Sequence, residues 1–265
     1  MTPAPSAIAA ALPTVRSLEP TRPLRWLVAG HQDLARALSL SLVHGLVVML
    51  GAVAIALLGW RHFGVLAGGY SGFLLVAPLL ATGLYQISRR LAQGVEPTWA
   101  DVVQAWRLSG ALLRFALLLA LIGTLWVGFS AMVVLAMAGE PWAGLQGFFS
   151  PRVLRSADFV QRGHLFLLWL LAGGLLAAWV FAISVVAIPM LLERRVPLSL
   201  AVLTSVRAVG HNPVTMLVWA ALIFACTALG LLTLVGLVWC VPLLGHASWH
   251  AYTELVDASA WPERR

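Results

Sequence analysis

The sequence predicts an all-α polytopic membrane protein. We read a bundle of six transmembrane helices arranged as three hairpins, with amphipathic helices at the interface. Three observations carry this. Residues AVILMFWYC fill 61% of the 265 positions and DEKR only 10%, whereas a soluble domain carries about 25% charged residues. The apolar residues gather into runs near the ~20 residues that a helix needs to cross the hydrocarbon core. The charges sit between those runs. A water-soluble globule with so little charge could not cover its surface, so a soluble enzyme, a disordered chain and a disulfide scaffold are excluded.

Residues 1–36 form a tail rich in Pro, Ala and Thr that holds Arg16, Arg22, Arg25 and Arg36. It has no charged n-region followed by a long apolar h-region, so no cleavable signal peptide is expected. The tail is expected to be disordered to about Thr21. From Pro23 to Ala37 a short surface helix is expected, with Trp26 at the headgroups. The membrane domain spans 37–257. Its spans run from Ala37 to Gly59, Gly64 to Ile87, Ala111 to Ala138 and Leu165 to Leu192. Pro213 to Val256 holds one carboxylate, Glu254, and is long enough for two more spans with a turn near Gly230 to Thr233. Residues 258–265 form the second tail.

All the basic residues are arginine, seventeen of them, and the net charge is +7. Thirteen fall on the side of the two termini. Arg61, Arg152, Arg155 and Arg162 fall on the other. The positive-inside rule then places both termini of a multi-pass protein in the cytoplasm. The arginines lie singly or in pairs beside apolar runs. Their expected partner is therefore the bilayer with its anionic headgroups, not nucleic acid. Cys226 and Cys240 lie inside apolar runs and read as small core residues.

Two connections match at an offset of 100 without gaps. Pro97, Val102, Arg107 and Gly110 recur as Pro197, Val202, Arg207 and Gly210. Each segment opens with proline at a first-turn position. Thr98 and Asp101 resemble a capping box. Trp99, Val102, Val103 and Trp106 would share the apolar face of a helix in the headgroup plane. The even-numbered spans share a second signature: Ala77-Pro78-Leu79, Ile188-Pro189-Met190 and Val241-Pro242-Leu243. A proline inside a helix removes a backbone bond, so bends are expected at Pro78, Pro189 and Pro242. Together the two matches suggest an internal repeat of three hairpins.

Gly64, Gly68 and Gly72 make a flat strip for close helix packing. It serves either self-association, as a homo-oligomer, or the same bundle, with Gly173 and Gly174 as a facing surface. The segment Gly139 to Gly163 reads as interfacial connector helices on the far side.

The polar residues at depth are few. His44, near the start of the first span, is a candidate for haem ligation, proton relay or a neighbouring hydrogen bond. His246 and His250 stand four apart on one face, a spacing that also suits a metal. Tyr252, in the aromatic belt with Trp249, and Glu254 adjoin them. Aligning Pro78 with Pro242 sets Thr82 and Gln86 at matching positions of the second span. These residues read first as a polar seam between helices, then as a solute or proton path, then as a haem or metal site. No nucleophile elbow, phosphate loop or HExxH motif occurs, so neither catalysis nor a cofactor is expected.

Gly72 to Tyr85, Leu203 to Pro213 and Val241 to Tyr252 resemble the bacterial predicted integral membrane protein family, domain of unknown function number 2189. The resemblance covers Pro23 to Val256. It implies an inner-membrane location and carries over no activity and no site. The leading expectation is a non-enzymatic bundle that acts as scaffold or accessory to another membrane protein. The alternatives are a small-solute transporter or channel and a haem- or metal-binding accessory of a respiratory complex.

Overall fold

The structure is a computed structural model that describes residues 12–59, 66, 68–69, 72–73, 80–106, 109–138 and 157–264. These are helical almost throughout. Among the described residues four helical stretches are long and apolar enough to cross a membrane: Leu38–Gly59, Gly110–Val133, His164–Glu193 and Pro213–Thr233. Much of the expected second span, Pro78 included, lies outside the described residues, as does 139–156 of the far-side segment. The expected sixth span is a helix, Leu237–Leu255, but His246, His250 and Glu254 make it more polar than the others.

The elements in order are β1 (Thr14–Val15), α1 (Arg22–Arg36), α2 (Leu38–Gly59), α3 (Thr82–Ala92), α4 (Trp99–Trp106), α5 (Gly110–Ala138), α6 (Ala157–Ser184), α7 (Ala187–Glu193), α8 (Leu198–His211), α9 (Pro213–Thr233), α10 (Leu237–Leu255) and β2 (Val256–Asp257). They divide into two compact units. One draws on Met1–Val48, Pro78–Phe115 and Phe181–Arg265. The other draws on Met49–Ala77 and Ala116–Val180.

In the first unit α1 packs along α10 more extensively than any other pair of elements. The reason lies in its sequence. Pro23, Trp26, Gly30, Asp33 and Leu34 recur at helical spacing and form one buried stripe. Gly30 lets the backbones meet, since a Cβ there would stand 2.7 Å from the Ala247 nitrogen. Trp26 is therefore buried, edge-on to Trp219 at 5.6 Å, and does not sit at the headgroups as expected. The expected disorder up to Thr21 is also corrected for the described residues from Leu12 on; residues 1–11 lie outside them. Thr14 and Val15 pair antiparallel with Asp257 and Val256. Asn212 holds the strand's continuation, accepting from the Leu18 N–H at 2.7 Å and donating to the Arg16 carbonyl at 2.9 Å. Backbone groups satisfied in this way give a short segment a fixed place.

The α9–α10 connection turns at Leu234–Gly236, just beyond the expected position. Leu234 takes a left-handed φ of 56°, a strained conformation for a branched residue. In α10, Pro242 lies inside a continuous helix. Its missing N–H frees the Val238 carbonyl, and Gly45 of α2 packs against that carbonyl, where any Cβ would collide. Near Pro189, α6 ends at Ser184 and α7 opens at Ala187, with the Val186 N–H donating to Ser205 Oγ at 3.1 Å.

The surface helices begin as their sequences dictate. The Thr98 N–H donates to Asp101 Oδ2 at 2.8 Å and the Asp101 N–H to Thr98 Oγ1 at 3.4 Å, a reciprocal capping box. In α4 Val102 and Ala105 are buried while Trp99, Val103 and Trp106 are exposed. The expected apolar face is thus split, with Val102 turned inward. Pro197 serves as N-cap of α8, one residue ahead of the first turn.

The second unit packs through glycine and tryptophan. Cβ atoms at Gly68 and Gly72 would meet Val127 of α5 at 3.1 and 2.7 Å. Gly64 lies outside the described residues. Gly173 packs on Trp126 and Gly174 faces open space, so this pair does not form the surface expected opposite the glycine strip.

Candidate functional site

The buried polar groups of the first unit gather along α10. A helix repeats about every 3.6 residues, so His246, His250 and Glu254 form one row, four residues apart. Each meets a side chain of another helix.

His246 is fully buried. Its Nε2 lies 2.9 Å from Ser41 Oγ of α2 and its Nδ1 lies 2.8 Å from Ser88 Oγ of α3. Ser41 spends its single proton on the Ala37 carbonyl, 2.7 Å away. At His246 it can therefore only accept. This fixes the tautomer: Nε2 carries the proton and Nδ1 accepts from Ser88. A neutral imidazole with both nitrogens satisfied is the form that burial favours.

One turn on, His250 Nε2 donates to Asp33 Oδ2 of α1 at 2.8 Å. Burial pushes the Asp33 carboxyl upward, but the hydrogen bond from His250 and the charge of that histidine hold it below its ordinary value. One turn further, Glu254 binds the Trp26 indole N–H and the Arg22 guanidinium, the latter at 3.0 Å. On the opposite side of α10 the Tyr252 hydroxyl donates to Glu193 Oε2 at 2.6 Å, and Glu193 also pairs with Arg194 at 3.1 Å. Tyr252 and Trp249 are buried against each other, 5.5 Å between ring centres, and do not form an interfacial belt.

Residues 65–193 match the family model described as predicted integral membrane protein (DUF2189). Over that stretch the match is the resemblance read from the sequence. No curated protein and no solved structure matches the chain.

The seam joins His246, His250, Tyr252 and Glu254 through one helix. His44 lies nearby on α2 and takes no part in it. Its Nδ1–H donates to the Leu40 carbonyl at 2.8 Å and its ring lies 5.4 Å from that of Trp106. Its Nε2 is buried with no partner among the described residues, beside Gly83, where a Cβ would strike it. Thr82 is buried in α3. Gln86 lines a separate cavity, so the residue of α3 that reaches the histidines is Ser88. Among the described residues no three His, Cys, Asp or Glu side chains are grouped to hold a metal. His246 has both ring nitrogens engaged by serines.

The partners Asp33, Ser41, Ser88 and Glu193 were not singled out from the sequence. Asp33 carried a signal. It lies seven residues after Trp26 and three after Gly30, on the stripe that α1 buries. Ser41 and Ser88 carried none, because a serine beside apolar residues more often bonds its own helix.

Proposed function

We propose that the chain is a non-enzymatic bundle of a bacterial inner membrane that acts as a scaffold or accessory for a membrane protein partner. It has six spans in three related hairpins and both termini in the cytoplasm. One observation carries the functional reading: His246, His250, Tyr252 and Glu254 of α10 are each closed on a protein partner. In the row Ala37 carbonyl, Ser41, His246 and Ser88, one end is a carbonyl that can only accept. A transport path needs groups that exchange protons or solute with water on both sides. Here they are spent on joining α1, α2, α3 and α10. The hairpin repeat is supported by matched burial: Val103 and Leu203, and Trp106 and Val206, are exposed, while Ala105 and Ser205 are buried.

Two experiments test this. Reconstituted in vesicles, the protein should conduct protons no faster than empty vesicles, and cross-linking in cells should capture a defined membrane-protein partner or a second copy. Proton flux that disappears in His246→Ala would replace the scaffold with a transporter. A periplasm-active reporter should be silent after Arg265 and active within Gly144 to Ser150. The reverse pattern would refute the orientation.

The bare Nε2 of His44 favours a second reading, a haem- or metal-binding accessory. A Soret band, or stoichiometric metal lost in His44→Ala, would establish it.

A further inference from the structure

A cavity of about 790 Å³ opens in the first unit between α3, α4, α5 and α7. Arg89, Arg195 and Arg264 line it, together with Val103, Leu112 and Leu191, and no carboxylate is among its described lining residues. Arg89 reaches Glu263 at 3.4 Å. Among the described residues the guanidinium groups of Arg195 and Arg264 have no carboxylate partner. The Nε atoms of Arg89 and Arg264 are buried and have no partner among the described residues. Burial, with Arg195 close by, pushes the Arg264 guanidinium below its ordinary value.

Cations held together with open donors are costly unless an anion joins them. Arginine's fork of N–H donors suits phosphate oxygens. The walls say which phosphate. Val103, Leu112 and Leu191 would be poor company for a small hydrated ion, but they suit glycerol and the first carbons of an acyl chain. Beside the cavity α4 exposes Trp99 and Trp106, the residues that favour headgroup depth. Basic pockets between helices at that depth suit anionic headgroups.

We infer that this cavity is a phosphoryl-anion site that takes the headgroup of an anionic phospholipid, held by Arg89, Arg195 and Arg264. The site does not depend on the closed seam of α10, and binding in detergent is read without reference to which side faces the cytoplasm.

The test is native mass spectrometry of the detergent-purified full chain with phosphatidylglycerol, phosphatidylcholine or inorganic phosphate. The wild type should retain phosphatidylglycerol at least tenfold better than phosphatidylcholine. Arg195→Gln/Arg264→Gln should lose that preference. Arg25→Gln/Arg36→Gln removes the same charge elsewhere and should keep it. Arg195 is exposed, so Arg195→Gln alone serves if the double variant fails to fold, with a loss of several-fold expected. Phosphate binding that needs the same arginines, without lipid preference, would keep the phosphoryl site and assign its ligand to solution. Equal loss in both double variants, or neither lipid preference nor phosphate binding, would overturn the site.

Discussion

The two units of the chain are held by different forces. Of the buried polar residues that the structure describes, only Ser130 belongs to the second unit. Asp33, Ser41, His44, Thr82, Ser88, His246 and the rest belong to the first. The second unit closes by shape, with Gly68 and Gly72 against Val127 and Trp126 stacked on Trp169 at 6.1 Å. Lipid tails are as apolar as leucine, so helices in a bilayer gain little from burying apolar area. Close backbone approach and hydrogen bonds must then do the joining. The first unit uses both, since Gly30, Gly45 and Gly245 bring helices to α10 where its histidines need partners. The difference teaches that polar residues at depth need not mark a path. They also fix which helices meet, and in which register, because an unpaired group is costly where water is absent.

The largest effect should come from His246. Replacing it by alanine opens a void, leaves Ser88 without an acceptor and removes the donor to Ser41. We expect a loss of about 2–3 kcal/mol, read as a fall of several degrees in thermal unfolding in detergent. A change under about 1 °C would break the contrast, because the first unit would then rest on shape as the second does.

Asp33 sharpens the comparison through pH. Asp33→Asn keeps the shape and removes the charge that His250 meets, at a cost of about 1.5–2 kcal/mol near neutral pH. The sign follows from the direction of the shift. The folded carboxyl is held below its ordinary value, so its contribution is complete above the unfolded value of about 3.9. It is lost as the pH falls below that, through the folded value. The stability gap between wild type and Asp33→Asn should therefore shrink below about pH 4. A gap that grows below about pH 4 would mean that the folded carboxyl is held above its ordinary value, and that its partners do not stabilise its charge.

Much of the fold was legible in the sequence. Run length gave the long apolar helices, Thr98 and Asp101 gave the start of α4, and the unbroken apolar run after Pro213 gave two helices, α9 and α10, with a turn between them. The His246/His250 spacing placed both on one row of α10, and in the structure both meet side chains of other helices. The order of the tail was not legible, because Thr14 and Val15 gain their partners from Val256 and Asp257, over two hundred residues away. Nor was Ser88. Counting forward from aligned prolines favoured Thr82 and Gln86, and only the packing of α3 decides which of its polar residues turns toward the histidines.

The smallest effect should come from the second unit's own polar contact. Trp169 Nε1–H donates to Ser130 Oγ at 3.0 Å, and Ser130 is fully buried. Ser130→Ala removes the acceptor and leaves the stack on Trp126 in place, with Gly173 still beneath that ring. Hydrogen bonds between membrane helices average about 0.6 kcal/mol. Trp169 keeps most of its apolar contact, so a loss of about 0.5–1 kcal/mol is expected. The useful quantity is the ratio of this loss to that of His246→Ala, measured in the same detergent by the same unfolding assay. If Ser130→Ala costs a third or less, hydrogen bonding governs the first unit and shape the second. If the two costs are equal, the division fails, and a single buried bond is worth the same wherever it lies.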